Sequence, residues 1–264
     1  MSLPGILERI VRRRREHFPA GETPFPPPPS TENLSVLVFQ QNEDRFCAAL
    51  VARRGGAAIA EVKMGSPRLG SLADRIDPER QAVAYARGGA AALSVVVEPD
   101  FFFGSYELLA RCRAASGLPA IAKDFVVSVE QLDAARAAGA DAVLLIAALY
   151  SATELAAWAD AARRRGLAPL VETHDENDLA RLAGAEWELV GVNNRDLSTF
   201  EVDLARSVRM LPKLPPGALK VAESGIATRA DVERLAAAGF DAFLVGESLL
   251  LADDPAAKLA ELFA

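Results

Sequence analysis

From Ala57 onward the chain repeats one unit: a short apolar run, a few polar residues, an amphipathic stretch of helical period, then a glycine. The apolar runs are Ala57–Val62, Ala91–Val97, Ala120–Ala122, Ala142–Ala148, Ala168–Val171, Leu189–Val192, Ala218–Ala222 and Ala242–Val245, eight in all. They are near-continuously apolar rather than alternating, which is the pattern of strands covered on both faces. A glycine precedes each run after the first, at 88 or 89, 117, 139, 166, 184, 217 and 239; glycine is the residue that most readily ends a helix in a left-handed conformation. Helix starts are marked too. Asp77-Pro78 reads as an N-cap followed by proline at the first helical position. Ser128 with Gln131, Ser151 with Glu154 and Thr228 with Asp231 fit or approximate capping boxes.

Strands alternating with helices imply a parallel sheet. Eight such units fit an α/β fold of one closed (β/α)8 TIM barrel, whose usual size is about 250 residues. A doubly wound sheet would want a Gly-x-Gly-x-x-Gly turn after an early strand, and the sequence has none. The pattern predicts a single domain over 1–264, with the barrel at 57–264 and an N-terminal helical extension and Pro-rich connector at 1–56. Ile6, Leu7, Ile10 and Val11 share one helical face. The basic run Arg12 to Arg15 on that helix reads as a solvated face; the alternative is a helix leaning over a pocket and lending it positive charge. Pro24 and Pro26 to Pro29 read as a stiff, extended connector, and Phe46 to Arg53 as a short helix leading into the first strand.

Composition narrows the partners. The 264 residues are 51% apolar with a net charge of -7. That balance argues against nucleic-acid binding but not against a small anionic substrate in a locally positive pocket. Cys47 and Cys112 lack metal-ligand spacing and read as reduced structural thiols. The arginine run interrupts the only N-terminal apolar stretch, and no apolar run approaches the roughly 20 residues that span a bilayer. The expectation is a cytoplasmic protein with no membrane partner.

In a barrel of this kind, chemistry sits at the C-terminal ends of the strands. The strand ends offer Glu61 and Lys63; Glu98; Lys123 and Asp124; the apolar Leu144 and Ile146; Glu172 and His174; Asn193, Asn194 and Arg195; Glu223 and Ser224; and Gly246, Glu247 and Ser248. Side chains alternate along a strand, so Glu61 and Lys63 share a face. Burial lowers a lysine's pKa, but a lysine held close to carboxylates keeps its proton and can act as a general acid. Glu223-Ser224-Gly225 and Gly246-Glu247-Ser248 are short glycine-bearing turns that run into helical segments. Backbone N–H groups at helix starts bind anions, and the seventh and eighth loops are the usual phosphate site of such barrels. Ser66 adds a hydroxyl from the adjoining first loop. Thr173 with Glu176 fits a capping box, which makes His174 a rim residue of a first helical turn rather than a catalytic base.

These residues resemble those of the indole-3-glycerol phosphate synthase family, over nearly the whole chain. The likeness is carried by IAEVK and SP at Ile59–Pro67, EPDFFFGS at Glu98–Ser105, KDF at Lys123–Phe125 and DAVLLIAAL at Asp141–Leu149. It continues through LVETH at Leu170–His174, VGVNNRDL at Val190–Leu197, AESGI at Ala222–Ile226 and VGESL at Val245–Leu249. The resemblance implies a small phosphorylated aromatic-amine substrate, decarboxylating ring closure with loss of water, no cofactor or metal, and a monomer or weak homo-oligomer.

The resemblance also implies roles. Lys123 is the general acid on the substrate carbonyl; Lys63 binds the substrate carboxylate and assists dehydration. Glu172 is the base for dehydration, Glu61 holds and tunes a lysine, and Asn193 orients the intermediate. Ser66, Ser224, Gly225, Gly246 and Glu247 fall at phosphate-loop positions, Glu247 through its backbone. Ser224 counts among the catalytic positions too; Pro67, Arg195 and Glu223 join the substrate contacts. Phe102, Phe125, Leu144, Ile146 and Leu197 form an apolar bed for the aromatic ring.

The sequence departs from the family pattern at Met64-Gly65, Arg68-Leu69, Ala122, Thr173 and Phe103, none of which removes a proposed catalytic group. Arg68 stands in for a missing loop lysine on the phosphate side. Two rivals are weaker. Isomerisation of phosphoribosylanthranilate needs a Cys and Asp pair at strand ends, and neither cysteine lies at one. A non-catalytic phosphate-binding barrel would not need every acid and base retained.

Overall fold

The computed structural model describes residues 5–19, 44–67, 69–196, 199 and 201–263. The Pro-rich connector, Arg68 and Leu197 lie outside the described residues. Eight parallel strands close into a barrel: β1 Ala57–Val62, β2 Ala92–Val96, β3 Ala120–Lys123, β4 Ala142–Ile146, β5 Ala168–Thr173, β6 Leu189–Asn193, β7 Leu219–Glu223 and β8 Ala242–Val245. Each pairs with its sequence neighbours, and the ring closes where β1 pairs with β8, Ala57 opposite Ala242. The chain therefore forms a (β/α)8 TIM barrel rather than an open doubly wound sheet.

Side-chain parity sorts each strand into an inner and an outer row. Ile59, Ile121, Leu144, Leu170, Leu189, Val221 and Leu244 fill the barrel interior. Ala58, Ala60, Val143, Val171, Val190 and Ala222 belong to the larger cluster between the barrel and its helices. The capping signals at Asp77, Ser128, Ser151 and Thr228 act as the sequence predicts. Asp77 accepts the Arg80 N–H at 3.1 Å beneath Pro78, and the Ser128, Ser151 and Thr228 capping boxes are all formed. Gly117 and Gly139 end their helices at φ 71° and 87°, a region that costs other residues strain.

Several boundaries differ from expectation, with consequences for the site. Strands β3, β5, β6 and β7 run on through Lys123, Thr173, Asn193 and Glu223, so these polar residues are set by the sheet rather than by loops. The fourth run stops at Ile146, and Ala147–Leu149 turns as a 3-10 helix. The short helix α2 spans Arg45–Val51. Its Phe46, Cys47 and Leu50 are fully buried and plug the N-terminal end of the barrel interior.

Helix α1, Gly5–His17, buries Leu7, Ile10 and Val11 as predicted. The solvated reading of its arginines fails at Arg14, which is 2% exposed. Arg14 forms an ion pair with Asp124, next to Lys123, and its guanidinium stacks 4.9 Å from the Phe18 ring centre. Arg13 and His17 both reach Asp100 at 3.3 Å, in the short helix α4, Pro99–Phe102. The extension is thus bolted to the C-terminal end of β3 and to the loop after β2. No helix among the described residues is long and apolar enough to cross a membrane.

Candidate active site

One carboxylate holds two ammonium groups at the C-terminal end of the barrel. Lys63 Nζ lies 2.8 Å from Glu61 Oε1, and Lys123 Nζ lies 3.3 Å from Glu61 Oε2. Lys123 also approaches Glu223 Oε2 at 3.7 Å. The arrangement follows from parity: Glu61, Lys123 and Glu223 each sit two residues beyond an interior apolar residue on their own strand. Glu61 finds space because residue 246 is glycine; a Cβ there would overlap its carboxylate. Burial opposes the charge on Glu61, but Lys63 and Lys123 overcome it and bring its pKa down to about 2. Burial likewise opposes the charge on Lys123, and Glu61, Glu223 and Glu172 outweigh it, raising the pKa. Lys123 is a fully charged acid in the resting site.

A second pair of carboxyl groups lies beside this one. Glu172 and Glu223 are 3% and 0% exposed and face each other across β6. Between them is Gly191, the register partner of Glu172. A Cβ at Gly191 would overlap Glu223 Oε1, so this glycine is the gap through which the two carboxyl groups meet. The two are driven apart in pKa, as two like charges in one dry site must be. Burial and the Glu172 charge push Glu223 well above the ordinary carboxylate range. Burial also works against Glu172, but His174 and Lys123 hold it below that range. Of the two, Glu172 is the member favoured as the anion and Glu223 the member favoured to take a proton.

His174 is not on the rim of a helical turn. Asp175, not Thr173, caps the helix Glu176–Ala180. The Thr173 hydroxyl instead donates to the Gly191 carbonyl at 2.8 Å, because β5 continues through it and directs it into the sheet. His174 is consequently 9% exposed, with its ring against Glu172.

The last three strands end in buried amides and tight turns. Asn193 is buried at the close of β6, and its side-chain oxygen accepts the Arg195 N–H at 3.0 Å. Asn194 is fully buried and donates from Nδ2 to the Glu223 and Ser224 carbonyls at 3.0 and 3.2 Å. Its oxygen accepts from the Ser207 hydroxyl at 2.7 Å, so Asn194 fixes the turn after β7. That turn is strained: Ser224 has φ 65° and Gly225 has φ 80°. A non-glycine residue in the left-handed region is uncommon, and such strain concentrates at functional turns. Gly246 stands directly before the short helix Glu247–Leu250. Arg195 pairs with Glu247 at 2.9 Å, which offsets the carboxylate charge beside these turns.

On the other side is the apolar bed. The Phe102 and Phe125 rings stack at 6.0 Å between centres and 28° between planes. Leu144 and Ile146 are buried in the interior cluster, with Phe125 packed against it. Glu98, although at a strand end, is a structural cap that accepts the Asp100, Phe101 and Phe102 amides. Ser66 and Pro67 lie on the first-loop turn, where the Ser66 hydroxyl accepts the Leu69 N–H at 3.1 Å. Two departures from the family pattern form one contact: Gly65 lacks the Cβ that would collide with the Phe103 ring, and Phe103 takes φ 58°.

Sequence reasoning missed Gly191 and Arg14. A glycine inside an apolar strand marks close approach of another group, and VGVNN carries that mark. Arg14 carries no comparable sign. Cys47 sits in the plug at the opposite end, and burial pushes the Cys112 thiol up to about 12. Neither is a nucleophile for this site. Among the described residues no group of three or more His, Cys, Asp or Glu is arranged around a metal ion.

Residues 7–262 match the family model described as indole-3-glycerol phosphate synthase. A protein of that name from Variovorax paradoxus is 40% identical over 99% of this chain and all of its own length. Those from Albidiferax ferrireducens and Burkholderia vietnamiensis are 42% and 41% identical, each over 98% of both chains. Among solved structures, a thiamine phosphate pyrophosphorylase from Pyrococcus furiosus superposes with TM-score 0.58 at 15% identity, covering 80% of this chain and 95% of its own. That likeness is one of barrel architecture alone.

Proposed function

The chain belongs to the indole-3-glycerol phosphate synthase family, and on that premise we propose which residues carry each part of the reaction. It is a carboxy-lyase of tryptophan biosynthesis that acts on 1-(2-carboxyphenylamino)-1-deoxyribulose 5-phosphate and releases carbon dioxide and water. The aromatic carbon bearing the carboxylate attacks the ketone carbon. A carbon–carbon bond forms, and the carbonyl oxygen takes a proton from Lys123. Loss of carbon dioxide returns its electron pair to the ring. The new hydroxyl then leaves as water with a proton from Lys63, while Glu172 removes a proton from the ring CH2 beside nitrogen. Two protons are given and one is taken; the difference balances the carboxylate charge lost as carbon dioxide.

The observation that carries this assignment is Glu61 bridging both lysines. It keeps two ammonium donors within one small volume, preorganised where oxygen becomes basic, and such preorganisation is worth more in a dry site than in water. Glu172, held as an anion, is the nearest available base and also steadies positive charge that spreads into the ring. The strained Ser224-Gly225 turn and the Gly246 helix start bind phosphate; Phe102, Phe125, Leu144 and Ile146 bed the aromatic ring; Asn193 and Arg195 align the chain between. Anchoring both ends removes rotational freedom from an intramolecular attack. We infer also one domain over 1–264, acting in the cytoplasm as a monomer or weak homo-oligomer, away from nucleic acid; the net charge of -7 supports the last point. Incubation with the carboxyphenylamino substrate should generate indole fluorescence, and Lys123→Ala should abolish it. Fluorescence that survives this substitution removes Lys123 from its role.

A further inference from the structure

We infer that His174 is a positioning residue for Glu172: a doubly protonated imidazole locked between two carboxylates, which holds the base ionised and aimed. This rests on the reading of Glu172 as the base.

The geometry is specific. Nε2 lies 3.3 Å from Glu172 Oε1, and Nδ1 lies 3.4 Å from Asp178 Oδ2. A neutral imidazole has one N–H and one lone pair. In this position a lone pair would lie within ion-pair distance of an anionic oxygen whichever tautomer formed, and only the imidazolium avoids that repulsion. Both ring nitrogens are buried from water and neither makes an aligned hydrogen bond, so what holds the ring between Glu172 and Asp178 is charge at close range. Asp178 is itself fixed: its Oδ2 accepts the His174 backbone N–H at 2.9 Å, and its Oδ1 is held by Arg181. The order from the surface inward is therefore Arg181, Asp178, His174, Glu172.

The groups that bear on the ring come from every neighbouring element. Glu172 and Asp178 favour its charge from β5 and the helix Glu176–Ala180; Glu223 on β7, beside it, is pushed towards its neutral form; Lys123 on β3 competes for Glu172. Burial opposes the imidazolium, and Asp178 and Glu172 outweigh it, bringing the pKa up to about 9. Without this cation, Glu172 and Glu223 would share a proton on more equal terms, and the base would be partly blocked. The pair titrates as a unit, and His174 sets which member is ionised.

The test begins with the ring itself. The chain contains only two histidines, so nuclear magnetic resonance of histidine-labelled full-length protein gives two ring signals, assigned with a His17→Gln variant. His174 should remain doubly protonated through neutral pH. A neutral ring there overturns the inference whatever Glu172 does. Next, His174→Gln keeps a donor but removes the charge. The acid limb of its kcat profile should move up by about 1 to 3 pH units, the effect of losing an opposite charge at this range, while KM changes little. A role in filling space would instead lower kcat equally at all pH values, and an unmoved limb sinks the idea. Should this variant not fold, Asp178→Asn retains the backbone contact and should lower the titration point of the His174 ring; an unchanged titration point counts equally against it. Glu172→Gln separates the premise: if it stays active, Glu172 is not the base, yet the ring signal still reports whether His174 is charged.

Discussion

The two ends of the barrel both bury charge, and they treat it in opposite ways. At the N-terminal end an acidic residue stands just before each of three strands, and each is saturated. Asp141 accepts the Ala120 N–H at 2.9 Å and meets Arg113 at 3.3 Å. Asp241 accepts the Lys220 N–H at 2.8 Å and pairs with Arg54 at 2.7 Å. Glu188 takes both arms of Arg163, at 2.6 and 2.7 Å. At the C-terminal end ionisable groups are packed against one another with bonds left open. Both oxygens of Glu223 are buried without a hydrogen-bond partner among the described residues. Saturated charges staple strands to helices; unsaturated ones are kept where a ligand is to complete them. A site that is fully satisfied when empty has nothing to offer a transition state.

The comparison breaks first at Lys123. Its replacement by alanine should lower kcat by about 10³-fold or more, the upper range for a general acid. The melting temperature should move little, because the neighbouring carboxyl groups respond by taking up protons. Equal loss of stability and activity would mean the mouth is built like the base. The converse test is Glu188→Ala, which removes two charge-assisted hydrogen bonds from the Arg163 guanidinium, 10% exposed as a side chain, and leaves it Asp160 at 2.8 Å and the Glu186 carbonyl at 2.9 Å. Losing hydrogen bonds to a buried charge that keeps another partner costs about 1.5–3 kcal/mol. At this chain length that is roughly 2–4 °C in melting temperature per kcal/mol, with kcat and KM unchanged in the folded fraction.

Next in size is Gly191→Ala. The added methyl collides with Glu223 Oε1, and the carboxyl group has to swing away from Glu172. A misplacement of about an ångström at a reacting centre costs on the order of 10²-fold, so a loss of that order is expected in kcat with KM nearly constant. Stability should fall only slightly, since the displaced group is the end of a flexible side chain. Full activity in this variant would show that the Glu172–Glu223 contact is incidental.

What was readable beforehand followed locality. Strand runs, capping boxes and helix-ending glycines are short-range signals, and most of them are realised in the barrel, the Thr173 box excepted. The convergence of Glu61, Lys63 and Lys123 followed from topology plus the two-residue period, although they lie on β1 and β3. Three features resisted for one physical reason: they depend on a partner far away in sequence. Arg14 looks like part of a solvated run because Asp124, which buries it, is 110 residues distant. Thr173 looks like a cap until β6 brings the Gly191 carbonyl to its hydroxyl. Glu223 looks like any strand-end carboxylate until Gly191 lets it lie against Glu172.

The smallest effect sharpens the comparison most. If Glu223 is the protonated member of its pair, glutamine is nearly its isostere, and Glu223→Gln should keep kcat within about threefold at neutral pH, a few tenths of a kcal/mol of barrier. Glu172→Gln, a change of the same size one strand pair away, should be far more damaging. Stability gives the sign independently. The folded state raises the pKa of Glu223 above the ordinary carboxylate value, so it binds its proton more tightly than the unfolded chain does. That contribution is complete below about pH 4.5, the unfolded carboxyl range, and is lost as pH rises towards the folded pKa. Glutamine has no such loss. The melting temperature of Glu223→Gln relative to the parent should therefore climb with pH above that range and level off beyond the folded pKa. A gap that stays constant with pH would mean Glu223 is ionised like Glu61, and that the mouth carries its charge as openly as the base does.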